Sequence, residues 1–459
     1  MRLVLLCSLL ACAHARPAPL HLPPPWPQQL ALREGWLAQR HAALLPLMRR
    51  HGVAMWIVVN EEFHDDPLTQ FVAPPRPLAG NRDLFVFVDA GEAGLKRYAL
   101  TGYAEEAVLR FFESPEDFRK IKEGLQQVAA RHEPRTIALS IEPAAAAPPA
   151  PGAVLPASRG VTRSLTLASY RFLVDALGPE REKRFVPAAP LIEEYLDTRL
   201  PEERAAYAEL VQITEELARR ALSDEVIRPG HTRVGELRNW LYERLGERGL
   251  PTWFQPDLRV QRRGLGKQTS RGFLAVASED VVIERGDLLH LDFGLTALGL
   301  NTDWQKMAYV LKDGETDAPL GLRAALQNTN ALQDALVHAA RPGRAAAEVY
   351  DEVMAAMQAQ SAAAVAAGKP AFTAEVYSHP LGAQGHGLGA SIDFRSAQRR
   401  EPGHTLRAGS YLAVELNTQT PAAEWDGQVI YAMEEDPAEL TADGYRFFVP
   451  RQTAFYLVR

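Results

Sequence analysis

The stretch Gly286–Lys306 constrains the fold of this 459-residue chain more than any other segment. A run of leucines predicts a short buried strand that ends at Asp292. An ionised side chain in an apolar strand is costly unless it is paired or bound to a metal. Asp303 follows after a turn with two glycines, and aspartates on adjacent strands of a hairpin can point to the same face. The stretch therefore predicts a cation site that needs further ligands.

Three later stretches carry polar residues in apolar settings and supply the candidates for these ligands. His379 opens the sequence His-Pro-Leu-Gly, Glu415 lies near the end of an apolar strand, and Glu435 follows another. Four carboxylates with a single imidazole favour ions such as Mn²⁺, Co²⁺ or Zn²⁺. Five ligands are too many for one ion with an open position, and they suit two ions that share carboxylates and one water.

Length and charge limit the class of protein. A chain of 459 residues is too long for one ordinary core, so we expect two domains. The net charge of −7 gives no reason to expect a nucleic acid or an anionic membrane as partner. Residues 27–190 alternate strands with helices, which predicts an α/β layer domain. Residues 200–459 combine runs of helices with strand pairs, which predicts an α+β domain.

The first residues have the pattern of a secretory signal peptide. Arg2 precedes a short apolar run and the small-residue site Ala13-His14-Ala15, so residues 1–15 are expected to be cleaved off and the protein exported to the periplasm. A lipid anchor at Cys12 is the alternative. Cys7 and Cys12 are the only cysteines, so cleavage after Ala15 excludes disulfides, Cys-zinc sites and a cysteine nucleophile. No hydrophobic segment is long enough to span a bilayer.

The ordered set of candidate ligands resembles the pita-bread metallopeptidases, which include aminopeptidase P, prolidase and the creatinase-like proteins. The resemblance rests on two aspartates with ten residues between them, the His-x-Leu-Gly motif and two later glutamates. It implies a C-terminal pita-bread domain over 200–459, preceded by a smaller creatinase-like α/β domain over 27–190. It also implies hydrolysis of Xaa-Pro-type bonds in small peptides by a metal-bridged hydroxide, and a homodimer.

The resemblance also implies a role for each matching residue. Asp292 would chelate one ion, His379 and Glu415 the other, and Asp303 and Glu435 would bridge the two. Glu415 is also the candidate to take the proton of the attacking water. His386 would contact the substrate or stabilise the oxyanion. The cofactors implied are two divalent cations, with Mn²⁺ the first choice and Co²⁺ or Zn²⁺ as alternatives.

Several positions depart from the family pattern. Relatives carry a histidine shortly before the first aspartate, where this chain has Ala275, and an arginine where it has Met433. Trp304-Gln305-Lys306 replaces the usual threonine and arginine after the second aspartate. His290, two residues before Asp292, is the candidate to replace the missing histidine as a catalytic proton carrier. These departures support the alternative of a pseudoenzyme that keeps the fold and the metal site as a binding protein.

Two placements stay open in the sequence. His386-Gly-Leu-Gly also fits the histidine motif, although we prefer His379 because the other choice puts Asp393 where a second histidine belongs. Glu434 could take the place of Glu435, although the spacing onward to the last strand favours Glu435.

Overall fold

The computed structural model describes residues 22–75, 81–102, 105–114, 120–142, 160–265, 269–270, 273–399 and 404–459. The predicted signal peptide over residues 1–15, with Cys7 and Cys12, lies outside these ranges. Within them, no helix is both long enough and apolar enough to cross a membrane.

The N-terminal region is a five-stranded mixed sheet in the order β3-β2-β1-β4-β5. The first three strands pair antiparallel, and β4 and β5 join in parallel. Its strands are β1 Met55–Glu61, β2 Arg82–Asp89, β3 Leu95–Leu100, β4 Ile137–Leu139 and β5 Phe185–Pro187. Its helices are α1 Trp26–Arg50, α2 Thr69–Val72, α3 Glu106–Leu109, α4 Ile121–His132, α5 Leu167–Leu177, α6 Pro179–Glu182 and α7 Ala189–Asp197.

This sheet is covered on both faces, which explains its apolar strands. Six of the seven residues of β1 are buried. Trp56 and Val58 pack into one hydrophobic cluster, while Met55 and Ile57 pack into another on the opposite face. Successive side chains of a strand point to opposite faces, so a strand with a core on each side reads as a continuous apolar run.

The C-terminal region contains five helices and fifteen strands in the described part of the chain. Its helices are α8 Glu203–Ala221, α9 Val234–Arg248, α10 Leu320–Ala339, α11 Ala346–Ala366 and α12 Phe394–Arg399. Its first strands are β6 Asp257–Gln261, β7 Thr269–Ser270, β8 Phe273–Leu274, β9 Leu288–Asp292, β10 Thr296–Ala297, β11 Leu300–Asn301 and β12 Gln305–Val310. The later strands are β13 Thr373–Leu381, β14 Ile392–Asp393, β15 Tyr411–Ala413, β16 Leu416–Ala422, β17 Gln428–Glu434, β18 Pro437–Thr441, β19 Gly444–Phe447 and β20 Tyr456–Val458.

Two sheets of this region meet at the candidate site. One has the order β20-β12-β9-β6, and the other has the order β17-β16-β13-β15-β18-β19 with β14 beside β13. A backbone bridge joins them, because Gln305 N donates to Glu435 O at 3.1 Å and Glu435 N donates to Gln305 O at 3.3 Å. The bridge brings the start of β12 against the end of β17.

The two regions are in direct contact. Ala383 and Leu388, which flank the loop after His379, belong to the same hydrophobic cluster as Trp56 of the N-terminal sheet. Helix α7 ends at Asp197 and α8 begins at Glu203. The predicted limits of the two domains, 27–190 and 200–459, stay a prediction.

Candidate metal centre

The two aspartates lie where the hairpin of β9 and β12 opens. Asp292 is the last residue of β9 and is paired in register with Gln305, the first residue of β12. Asp303 lies two residues before Gln305 and is buried, and its Oδ1 accepts a hydrogen bond from Trp304 N at 3.1 Å. The pairing of β9 with β12 thus places both carboxylates at one end of the hairpin.

The other candidate ligands come from the second sheet. His379 lies on β13 opposite Ala413 of β15. Glu415 lies in the break between β15 and β16, and Glu435 directly follows β17. Alternation along β17 separates the two adjacent glutamates: Glu435 faces the site, while Glu434 lies 3.4 Å from Lys306 Nζ in a buried ion pair.

The predicted ligands converge in three overlapping groups. The ligand atoms within each group all lie within 4.8 Å of one another. The groups are Asp292, Asp303 and Glu435; His379, Glu415 and Glu435; and Asp303, His379 and His386. The structure therefore brings together all five predicted metal ligands, with His386 beside them, and it does not include Glu434.

The imidazole of His379 faces three carboxylates. Its Nε2 lies 3.3 Å from Glu435 Oε1, 3.7 Å from Asp303 Oδ2 and 3.8 Å from Glu415 Oε2. Side chains of Asp303 and Glu435 are at most 5% exposed. Acidic oxygens from three carboxylates around one imidazole nitrogen form a donor set that divalent cations bind.

Burial and mutual repulsion raise the pKa values of these carboxyl groups. Burial raises the pKa of Glu415 to about 8, and the charge of Glu435 adds to the shift. Burial raises the pKa of Asp292 to about 6, although the guanidinium of Arg259 opposes the shift. Burial is the main cause that holds the pKa values of Asp303 and Glu435 well above their usual range, and repulsion from neighbouring carboxylates is the second. Four like charges this close favour either protons or cations between them.

A buried oxygen also fits a cation. Glu435 Oε1 is inaccessible to solvent and makes no hydrogen bond of normal geometry within the described ranges, although His379 Nε2 lies 3.3 Å from it. A buried acceptor without a donor costs free energy, which a bound cation at this oxygen would recover. The residues present thus fit divalent cations by both their chemistry and their burial.

The two catalytic histidine candidates lie in different environments. His386 is exposed, with its ring 4.7 Å from that of His379 and 5.2 Å from that of Trp253. His290 is fully buried and is 3.0 Å from Gln305 Oε1 and 3.2 Å from Arg259 Nη1. Burial, aided by the charge of Arg259, holds the pKa of His290 well below 6.5. His386 is therefore open to a substrate, whereas His290 has no contact with solvent.

Two of the departures from the family pattern, Ala275 and Met433, lie at one small hydrophobic cluster. Leu274, Tyr431 and Met433 form a small buried hydrophobic cluster. Ala275 is next to Leu274, so the positions where relatives have a histidine and an arginine are both beside apolar side chains. Leu274 O accepts a hydrogen bond from Arg259 Nε at 3.0 Å, which connects this cluster to the candidate site.

Sequence reasoning missed two residues of the site. Arg259 of β6 and Gln305 of β12 both contact Asp292 Oδ2, at 3.4 Å each. Gln305 was noticeable only as a departure from the family pattern. Arg259 lies on β6, whose sequence Asp-Leu-Arg-Val-Gln alternates polar and apolar residues and gives no signal of a site.

The family model for metallopeptidase family M24 matches residues 205–436, just over half of the chain. Solved structures with a similar fold include the X-Pro aminopeptidase of Thermotoga maritima MSB8, with 15% identity, a TM-score of 0.62 and 90% of this chain aligned to 100% of that chain. The Xaa-Pro dipeptidase of Bacillus anthracis has 15% identity and a TM-score of 0.61, with 92% of this chain aligned to 100% of that chain. Proline aminopeptidase P II of Yersinia pestis has 17% identity and a TM-score of 0.60, with 92% of this chain aligned to 97% of that chain. A search of curated proteins found no match.

The chain therefore belongs to metallopeptidase family M24. This confirms the predicted resemblance and the predicted α+β pita-bread domain, C-terminal to an α/β region. It also confirms the prediction of a metal-dependent peptidase and gives no support to the pseudoenzyme alternative. The candidate ligand groups agree with a metal requirement, whereas the number and identity of the ions stay predictions.

Proposed function

We propose that this protein hydrolyses Xaa-Pro-type bonds of small peptides with two divalent cations, as aminopeptidase P and prolidase do. One observation carries the proposal: five ligating side chains that are far apart in sequence have their ligand atoms in overlapping groups 4.8 Å wide or less. Chance convergence of four carboxylates, two of them buried and two half-buried, would be destabilising without bound cations, because like charges shielded from water repel one another. The names of the structural neighbours suggest the Xaa-Pro substrate class.

Each side chain has a place in this proposal. Asp292 would hold one cation, His379 and Glu415 would hold the other, and Asp303 and Glu435 would be shared by both. When bound, such cations polarise a carbonyl and lower the pKa of water to near neutrality. Mn²⁺ is the first candidate, because oxygen ligands dominate the set.

The chain's own groups would handle the proton and the oxyanion. Glu415 lies among the candidate ligands and would take the proton of the attacking water. His386 is exposed beside His379 and would donate to the developing oxyanion or hold the substrate. Trp253 forms an apolar wall beside His386 that a proline ring could pack against.

The test is a comparison of matched peptides with purified protein. Protein stripped with a chelator is reloaded with Mn²⁺ or Co²⁺, and cleavage of Xaa-Pro peptides is compared with cleavage of the same peptides with alanine in place of proline. We expect turnover only with the cation and only of the proline peptides. The Asp303→Asn variant removes one shared charge and should abolish it. Turnover without cations, or unchanged turnover by Asp303→Asn, would overturn the proposal.

A further inference from the structure

Three polar side chains on neighbouring strands stand behind the candidate ligands. Arg259 on β6 is paired in register with His290 on β9, and Gln305 on β12 is paired with Asp292 on β9. His290 is 0% exposed and Gln305 is 5% exposed. Buried polar groups in a sheet are retained where their hydrogen bonds are complete.

The hydrogen bonds between these residues have only one consistent direction. Arg259 Nη1 lies 3.2 Å from His290 Nδ1, and a guanidinium can only donate, so Nδ1 is the acceptor. The proton of the neutral ring is then on Nε2, which donates to Gln305 Oε1 at 3.0 Å. The amide of Gln305 is thereby fixed with its Nε2 turned toward the carboxylates. Arg259 thus determines the orientation of Gln305 through the ring of His290.

The end of this chain of hydrogen bonds selects individual carboxylate oxygens. Gln305 Nε2 donates to Glu415 Oε1 at 2.9 Å and lies 3.4 Å from Asp292 Oδ2. Arg259 Nη1 also lies 3.4 Å from Asp292 Oδ2. The other oxygen of Glu415, Oε2, is the one that lies 3.8 Å from His379 Nε2.

We propose that Arg259, His290 and Gln305 form a positioning chain that reserves Glu415 Oε2 and Asp292 Oδ1 for the cations. This inference rests on the proposed metal centre and assigns the residues behind it. Donors that hold a carboxylate in one orientation reduce the ordering that metal binding would otherwise require. Arg259 is itself held by Asp257, whose Oδ2 lies 3.6 Å from Nη2, and by Leu274 O. In this arrangement His290 positions Gln305 and transfers no proton to solvent.

The experiment measures cation affinity independently of catalysis. Gln305→Leu removes the amide with little change in volume, and we expect its dissociation constant for Co²⁺, measured by calorimetry, to rise about 10- to 100-fold. The visible absorption of bound Co²⁺ should also change, because Glu415 would no longer be fixed as a ligand through one oxygen. His290→Phe should weaken Co²⁺ binding in the same way. His290→Gln, whose amide can accept from Arg259 and donate to Gln305, should restore most of it.

Gln261→Leu is the matched control. Gln261 is also 5% exposed and lies on β6, but its amide bonds to the backbone of Tyr431 and to no carboxylate in the part of the chain that the structure describes. We expect it to lower the melting temperature about as much as Gln305→Leu while leaving Co²⁺ affinity and spectrum unchanged. Equal Co²⁺ affinities for wild type, Gln305→Leu and His290→Phe would overturn the positioning chain alone. A wild type that binds no Co²⁺ would overturn both it and the metal centre, and one that binds Co²⁺ without cleaving Xaa-Pro peptides would overturn only the substrate assignment.

Discussion

Gly385 lies directly against the indole of Trp253, so that a Cβ at position 385 would overlap the ring. The indole is fixed there, because Trp253 Nε1 donates to Thr302 O at 2.8 Å. His386 is the next residue along the chain, and its ring lies 5.2 Å from the same indole at an interplanar angle of 76°. The lack of a side chain at Gly385 therefore allows Trp253 and His386 to stand together beside the candidate ligands.

Gly385→Ala should consequently lower kcat/KM on Xaa-Pro peptides by about 10- to 100-fold, because either His386 or the indole must move. Trp253→Phe in the same chain makes room for the methyl group and should recover part of the loss. A double-mutant cycle on kcat/KM should give a coupling of about 0.5–3 kcal/mol. Additive effects of the two substitutions would show that the contact has no part in activity.

Substitutions of His379 and of His386 should affect different quantities, cation affinity for the first and kcat for the second. His379→Ala removes an imidazole that faces three carboxylates. We expect the dissociation constant for Co²⁺ to rise by more than about 100-fold, which exceeds the usual loss for a residue that only hydrogen-bonds to a ligand. His386→Ala should keep Co²⁺ affinity within about threefold and lower kcat instead. Calorimetry and steady-state kinetics on both variants check this. The reverse pattern would mean that His386-Gly-Leu-Gly is the ligand motif.

The sequence was sufficient to select five residues that the fold brings to one place, because their residue types, order and spacing along the chain form a recognisable pattern. It could not supply Arg259 or Gln305. Their contacts depend on the register of β6 and β12 against β9, and a shift of one residue would turn both side chains to the other face. The burial of His290 was hidden for the same reason, since a histidine two residues before Asp292 can equally face solvent or a neighbouring strand.

Lys306 should be essential for stability. Its ammonium is 1% exposed and donates to Asp436 Oδ1 at 2.7 Å, with Glu434 Oε2 at 3.4 Å. Lys306→Met leaves two buried carboxylates without their cation and should cost about 3–5 kcal/mol of unfolding free energy. Denaturant unfolding at pH 7 measures this.

Lys96→Met is the control for that loss of charge. Lys96 pairs with Glu113 at 3.3 Å, and both side chains are more than a third exposed. Solvent-exposed pairs contribute at most about 1 kcal/mol, so this variant should unfold close to wild type. Comparable losses for the two lysines would contradict the assignment of Lys306 to a buried ionic cluster.

The last prediction concerns acid stability through His41 in the N-terminal region. His41 is 2% exposed, lies 2.9 Å from Val72 O and packs its ring against Phe87 and Phe112. Burial lowers its pKa from 6.5 to about 4, and the nearby charge of Arg97 adds to the shift. Because the unfolded chain takes up this proton first, the unfolding free energy falls as the pH drops from about 6.5 to about 4. The loss attributable to His41 is about 3 kcal/mol.

His41→Gln removes this titration and keeps one polar group for Val72 O. We expect the variant to be less stable than wild type at pH 7, with a difference that narrows as the pH approaches 4. His338→Gln, at an exposed position on α10, should follow the wild-type curve throughout. Urea unfolding at half-unit pH intervals for the three proteins checks the slopes. Parallel curves for wild type and His41→Gln would mean that the ring takes up its proton equally in the folded and unfolded chains, and so that burial does not keep it neutral.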